Sequence, residues 1–165
     1  MTKRFTDYTH VWLGVALALS PIGAWIAVKG GSAAELLHLW PLSQSLLPPI
    51  VLGVAVVFWL IGFDIIYALM DREFDQTHGV KSLPSALGEK GALAVAAFTH
   101  LIAFALLVLL WMGFGGALSL LSLSVAAVAF GAAYVPTIPI AVRFFPISAV
   151  AGIAGALVVL LGGIS

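Results

Sequence analysis

From Gly91 to Val142 the chain carries no Asp, Glu, Lys or Arg. A run of that length is too apolar for the surface of a soluble domain and too long for a single bilayer crossing, which takes about 20 residues. The "GFGG" of residues 113–116 divides it, because paired glycines break helices. That predicts helices over roughly 91–112 and 117–135, and three further apolar runs, over roughly 8–28, 46–70 and 146–164, bring the count to about five. Composition agrees, with 62% hydrophobic and 8% charged residues against roughly 25% charged in a soluble domain. The expected class is an all-α membrane protein. Zero formal net charge gives no basic patch for nucleic acid, and the absence of cysteine excludes disulfides and thiolate ligands.

Lys3 and Arg4 ahead of an apolar run imitate a secretory signal peptide. The run is longer than the usual apolar region of about 7–15 residues, and more spans follow, so it reads as a retained helix. Five crossings place the N-terminus, the 71–90 loop and the 136–146 loop on one side. That side holds Lys3, Arg4, Arg72, Lys81, Lys90 and Arg143, six of the seven basic residues, and only Lys29 lies opposite. The asymmetry makes the first side cytoplasmic.

On that side, "GFDIIYALMDREFDQTHGVKSLP" (62–84) leaves an apolar run and enters a cluster of charge. On an α-helix continued to residue 75, Asp71 and Asp75 lie ~20° to either side of Asp64, in a stripe ~16 Å long. Tyr67 flanks it. An aspartate at the centre of a membrane helix costs about 2.5–3.5 kcal/mol on insertion scales, so Asp64 is expected to face a polar cavity rather than lipid. The plain alternative is a solvated helix end, its acids partnered by Arg72 and Lys81. Carboxylates at this spacing suit Mg²⁺, which takes one or two carboxylates plus phosphate oxygens.

The segment resembles the second aspartate-rich motif of the UbiA superfamily of membrane prenyltransferases, close to YDxxYAxxDxxxDxxxGxxS. Asp64, Tyr67, Ala68, Asp71, Asp75, Gly79 and Ser82 match it position by position, with Phe63 in place of the leading aromatic. The N-terminal "KRFTDYTHVWLGVALALSPIGAWIAV" resembles the segment opening the family's fifth helix. Within the superfamily the chain looks most like the 4-hydroxybenzoate polyprenyltransferases, including the related MqnP-like enzymes of menaquinone synthesis.

The resemblance implies the second half of a nine-helix bundle in the cell inner membrane. It implies transfer of a polyprenyl chain from its diphosphate to an aromatic acceptor such as 4-hydroxybenzoate, in ubiquinone or menaquinone synthesis. Asp71 and Asp75 would ligate Mg²⁺, and Asp64 would lie deeper in the same network. Lys3 matches the lysine of the family's YxxxK element, with Arg4, Arg72 and Lys81 as further contacts to diphosphate. Tyr67, Phe63 and Trp59 are candidates to shield an allylic cation, although ordinary packing is the stronger expectation for these aromatics.

The family's first aspartate-rich motif, NDxxDxxxD, has no counterpart in the sequence, and the Tyr of YxxxK would fall just before Met1. The expectation is a C-terminal portion of a full enzyme, from an internal start, a truncated gene or a split gene, inactive alone and, in the split case, served by a separately encoded N-terminal half. Two other readings stay open: an ion-coupled transporter, for which an intramembrane acid is also a mark, and a non-catalytic pairing subunit. Weaker signals are expected to be structural. His100 reads as an interhelical hydrogen-bond partner, Arg143 as an interfacial anchor, Gly152 and Gly155 as small-residue packing, and Glu35 and His38 as solvated residues. Gly79, Lys81 and Ser82 read equally as diphosphate contacts or as a solvated turn.

Overall fold

The computed structural model describes residues 9–29 and 45–162; Lys3, Arg4, Glu35 and His38 lie outside them. Seven helices follow in order: α1 (Thr9–Lys29), α2 (Leu47–Ala68), α3 (Arg72–His78), α4 (Leu83–Phe114), α5 (Ala117–Ala132), α6 (Ile140–Val142) and α7 (Ser148–Gly162). A single 3₁₀ turn, Leu69–Asp71, joins α2 to α3, and a π-turn, Arg143–Ile147, joins α6 to α7. Among the described residues there is no strand, and the chain is an all-α membrane protein. Three continuous helical runs, Leu47–His78, Leu83–Phe114 and Ile140–Gly162, are long and apolar enough to cross a bilayer.

The five apolar helices expected from the sequence are all present, with ends that follow local chemistry. Gly115 (φ 73°) and Gly116 (φ 88°) take backbone conformations that side chains resist, which ends α4 and lets α5 start at once. Pro48 and Pro49 occupy the first turn of α2, where a missing N–H costs nothing, so they start the helix instead of kinking it.

The segment read as a loop over 71–90 is mostly helix. Only residues 79–82 are non-helical between α3 and α4. Gly79 closes α3 in the left-handed conformation (φ 68°). Ser82 and Ser85 then cap α4 reciprocally, the Ser85 N–H donating to Ser82 Oγ (3.3 Å) and the Ser82 N–H to Ser85 Oγ (2.9 Å). A break at Gly88 (φ 70°) separates this first turn and a half from the long span.

Helices pack through small residues. α2 meets α1 at Gly53, where a Cβ would lie 2.6 Å from the Ala18 carbonyl oxygen. Gly152 and Gly155 of α7 seat Trp59 and Leu107, the small-residue packing expected of them. The Ser119 hydroxyl of α5 donates to the Val158 carbonyl of α7 (2.7 Å). Such contacts replace the hydrophobic drive that lipid cannot provide between helices.

Candidate functional site

The acidic residues gather where α2 ends. Asp64 is half-buried in the last two turns of α2, Asp71 is exposed on the 3₁₀ turn, and Asp75 is buried in α3 with 9% of its surface accessible. The single stripe expected of them is broken. Three residues at 3₁₀ spacing advance everything beyond them by roughly 60° relative to a continuous α-helix, and Asp71 itself sits off helical geometry (φ −98°, ψ 3°). The carboxylates therefore fan around the helix end: Asp71 points out, while Asp75 turns toward the hairpin between α3 and α4.

There Asp75 lines a shallow depression together with Gly79, Lys81 and Ser85. Lys81 is exposed at its edge. The family-like glycine and serine thus have structural duties, Gly79 as the helix stop and Ser82 as the next helix's cap, and together they fold the hairpin that sets Lys81 near Asp75. Arg72 adds a further feature. It is half-buried, and its Nε–H is fully buried without a hydrogen-bond partner among the described residues. A buried donor left unpaired costs about 1–3 kcal/mol, which an acceptor oxygen at this position would recover.

Among the described residues no three His, Asp or Glu side chains converge to form a metal cage. The donor set is two carboxylates at one helix end, with an arginine between them in sequence whose Nε–H has no acceptor among the described residues. That fits a hard cation that completes its shell with phosphate oxygens and water, and does not fit an all-protein metal site.

The aromatic candidates separate by position. Phe63 is buried (2% accessible), its ring 4.4 Å from that of His100 and 6.3 Å from that of Phe130. Trp59 lies against Gly152 and walls an apolar cavity of about 180 Å³ that also involves Leu52, Ala55, Leu107 and Gly155. Five residues of helix set Trp59 ~140° around α2 from Asp64, so cavity and carboxylates occupy different faces. Both aromatics are packing residues. Tyr67 alone is exposed (38%), its ring 4.5 Å from that of Phe144 in the π-turn.

Two residues held more than the sequence suggested. His100 is 2% accessible and bridges three elements: Nε2 lies 3.3 Å from the Trp59 carbonyl oxygen and Nδ1 2.7 Å from the Tyr134 hydroxyl. The interhelical role expected of it is observed, and Tyr134, unremarked in the sequence, completes it. Arg143 does more than anchor the chain at an interface. It is 6% accessible, and its Nε and Nη2 donate to the carbonyls of Ile138 (2.7 Å) and Pro136 (3.0 Å). The signal was present in "VPTIP": prolines 136 and 139 keep this stretch out of a helix, so its carbonyls need partners from elsewhere.

Comparison with known proteins places this geometry in context. The model of the UbiA prenyltransferase family matches residues 1–136, which includes the whole acidic segment. The polyprenyl transferase atnF of Arthrinium sp is 36% identical over 108 residues, 64% of this chain and 31% of its own length. The 4-hydroxybenzoate octaprenyltransferase of Alcanivorax borkumensis is 32% identical over 106 residues, 64% of this chain and 32% of its own. The mitochondrial 4-hydroxybenzoate polyprenyltransferase of Arabidopsis thaliana is 32% identical over 98 residues, 59% of this chain and 21% of its own. Among solved structures, the apo form of a UbiA homolog from Aeropyrum pernix K1 superposes with a TM-score of 0.66 at 29% identity, covering 99% of this chain and 56% of that one. The chain thus spans about a third or less of the curated relatives named here and just over half of the solved homolog.

Proposed function

The chain belongs to the UbiA prenyltransferase family, and from that premise we propose that it forms the diphosphate-binding half of a membrane prenyltransferase. The donor is a polyprenyl diphosphate, and the acceptor is an aromatic ring such as 4-hydroxybenzoate, on the route to ubiquinone or menaquinone. The carrying observation is the buried, unpartnered Nε–H of Arg72 beside the exposed carboxylate of Asp71: a cation short of an acceptor, next to an acid free to take a metal. Two of the relatives compared above carry 4-hydroxybenzoate in their names, which supports the choice of acceptor class.

Asp71 and Asp75 are the residues that would hold Mg²⁺, which when bound would supply charge neutralisation for a diphosphate leaving group. Arg72 and Lys81, with Lys3 and Arg4 from outside the described residues, donate to the remaining oxygens, Arg by its planar fork and Lys as a point charge. These contacts strengthen as the allylic C–O bond breaks and negative charge gathers on the leaving group, so they stabilise the transition state more than the bound substrate. Tyr67, exposed one turn from Asp64, offers its ring face to the allylic carbon. Asp64, deeper in α2, orients the metal network or the acceptor. The acidic end faces the cytoplasm across the cell inner membrane, in keeping with the distribution of basic residues. Turnover requires the remainder of the fold, whether joined to this chain or supplied as a separate one.

The test is Mg²⁺-dependent binding of a labelled prenyl diphosphate to the chain in lipid nanodiscs. Saturable binding lost on chelation, lost in Asp71→Asn, and weakened about tenfold or more in Arg72→Gln is the expected result. Binding indifferent to magnesium and to both substitutions contradicts the reading. Transfer to 4-hydroxybenzoate is then assayed after co-reconstitution with the complementary half.

A further inference from the structure

Four hydrogen bonds, one aromatic contact and the chain between them form a connected path from one point on α2 to another. The Trp59 carbonyl can only accept, so His100 Nε2 carries the proton and donates to it (3.3 Å). In the neutral ring Nδ1 is then an acceptor, and the Tyr134 hydroxyl donates to it (2.7 Å). The imidazole has no other polar outlet, since the rings of Phe63 and Phe130 lie 4.4 and 4.9 Å from its own.

Tyr134 opens the stretch 134–139, and Arg143 holds that same stretch through the carbonyls of Pro136 and Ile138. Arg143 also begins the π-turn, closed by the Ser148 hydroxyl donating to the Phe144 carbonyl. Phe144 in that turn lies against Tyr67 (4.5 Å). The path therefore leaves α2 at Trp59 and returns at Tyr67, and Asp64 lies between. Gly62 in the same interval gives His100 its room, because a Cβ there would sit 2.8 Å from Thr99 Oγ1 and closer still to the imidazole.

We infer that His100, Tyr134 and Arg143 are positioning residues: a brace that fixes α2 from Trp59 to Tyr67 and so aims Asp64 and Tyr67 toward the diphosphate site. Two properties of the residues go beyond helix-to-helix adhesion. Arg143 commits a buried guanidinium to neutral carbonyls of a short turn, an expensive way to hold a connection that does nothing else. The brace also ends on the last regular turn of α2, directly before the 3₁₀ turn that carries Asp71. π-turns of this kind concentrate at functional sites.

The inference rests on the diphosphate reading for what is positioned, so its experiment has two arms. In the first, the full chain in nanodiscs is titrated with geranylgeranyl diphosphate and Mg²⁺, and its thermal midpoint is recorded in parallel. Tyr134→Phe removes only a hydroxyl and Arg143→Lys keeps the charge but loses the fork. Each is expected to weaken binding about three- to tenfold, the size of one lost hydrogen bond. The double variant is expected to fall short of the product, because both loosen one turn. Lowered thermal midpoints with unchanged affinity make the cluster mere packing and overturn the inference.

The second arm needs no ligand. The chain has no cysteine, so Met70→Cys, exposed at the end of α2, accepts a single nitroxide label. Tyr134→Phe and Arg143→Lys are expected to raise its mobility, and unchanged mobility overturns the brace. A wild-type chain that binds no diphosphate sinks the functional reading, and with it the object of the positioning. The label still reports whether α2 is held, so the two failures are told apart.

Discussion

Gly62→Ala is expected to destabilise the protein by about 2 kcal/mol, although the same change at an open helical position such as Gly131 is expected to stabilise it. Alanine exceeds glycine in helix propensity by about 1 kcal/mol, which favours the substitution. Against it, the new methyl meets Thr99 Oγ1 at 2.8 Å and overlaps the His100 ring more closely, and overpacking a filled interface costs about 1–3 kcal/mol. Separating α2 from α4 also breaks the His100–Trp59 hydrogen bond and leaves a buried ring N–H unpaired, about 1–3 kcal/mol more. The interface terms win over propensity. Gly131 in α5 is the control, since a Cβ there meets nothing within 4 Å, and Gly131→Ala is expected to gain up to about 1 kcal/mol. Reversible SDS titration of both variants reads the two signs side by side. A third measurement isolates the cause: in a His100→Ala background the cost of Gly62→Ala is expected to shrink to the contact with Thr99 alone, a coupling of about 1–2 kcal/mol between touching residues. Wild-type stability in Gly62→Ala, or full additivity with His100→Ala, refutes the close packing from which the brace is built.

Ser119→Ala removes the interhelical bond to the Val158 carbonyl and is expected to cost about 0.6–1.7 kcal/mol, read by the same titration. Gly79→Ala forces a side chain into the left-handed region at φ 68°, at about 1–2 kcal/mol. Its effect is expected in faster backbone hydrogen exchange of α3 and the start of α4. Asp71→Asn changes an exposed side chain, so its thermal stability is expected to stay within about 0.5 kcal/mol of wild type while magnesium-dependent diphosphate binding disappears. Loss of fold in that variant contradicts the exposed placement of Asp71.

The helices were legible because solvent decides them. A stretch without charge has nowhere to go but into lipid, and "GFGG" supplied the one break that sterics demanded. The 71–90 segment misled for the converse reason. Its charges describe where it sits relative to the membrane, and they were read as a statement about backbone conformation. The helix stop at Gly79 and the serine cap with Pro84 behind it were in the sequence, and these are conformational signals that do not depend on polarity.

Asp64, Asp71 and Asp75 could be found from spacing, but their mutual geometry could not. It is set by three residues of 3₁₀ turn that no periodicity announces, and a periodicity argument assumes the very regularity the turn removes. His100, Tyr134 and Arg143 expose a second limit. Position on a helix tells which way a side chain points from its own axis, whereas the partners of these three are a backbone carbonyl on α2, a ring nitrogen on α4 and two carbonyls of the non-helical stretch 134–139. Backbone acceptors have no letter in a sequence. Long-range polar ties to the main chain are therefore the class of interaction that structure adds here, and they converge on the last two turns of α2. Phe63, Ile66 and Leu69 bury the apolar face of those turns, and the ties at Trp59 and Tyr67 add a lateral hold on either side of Asp64.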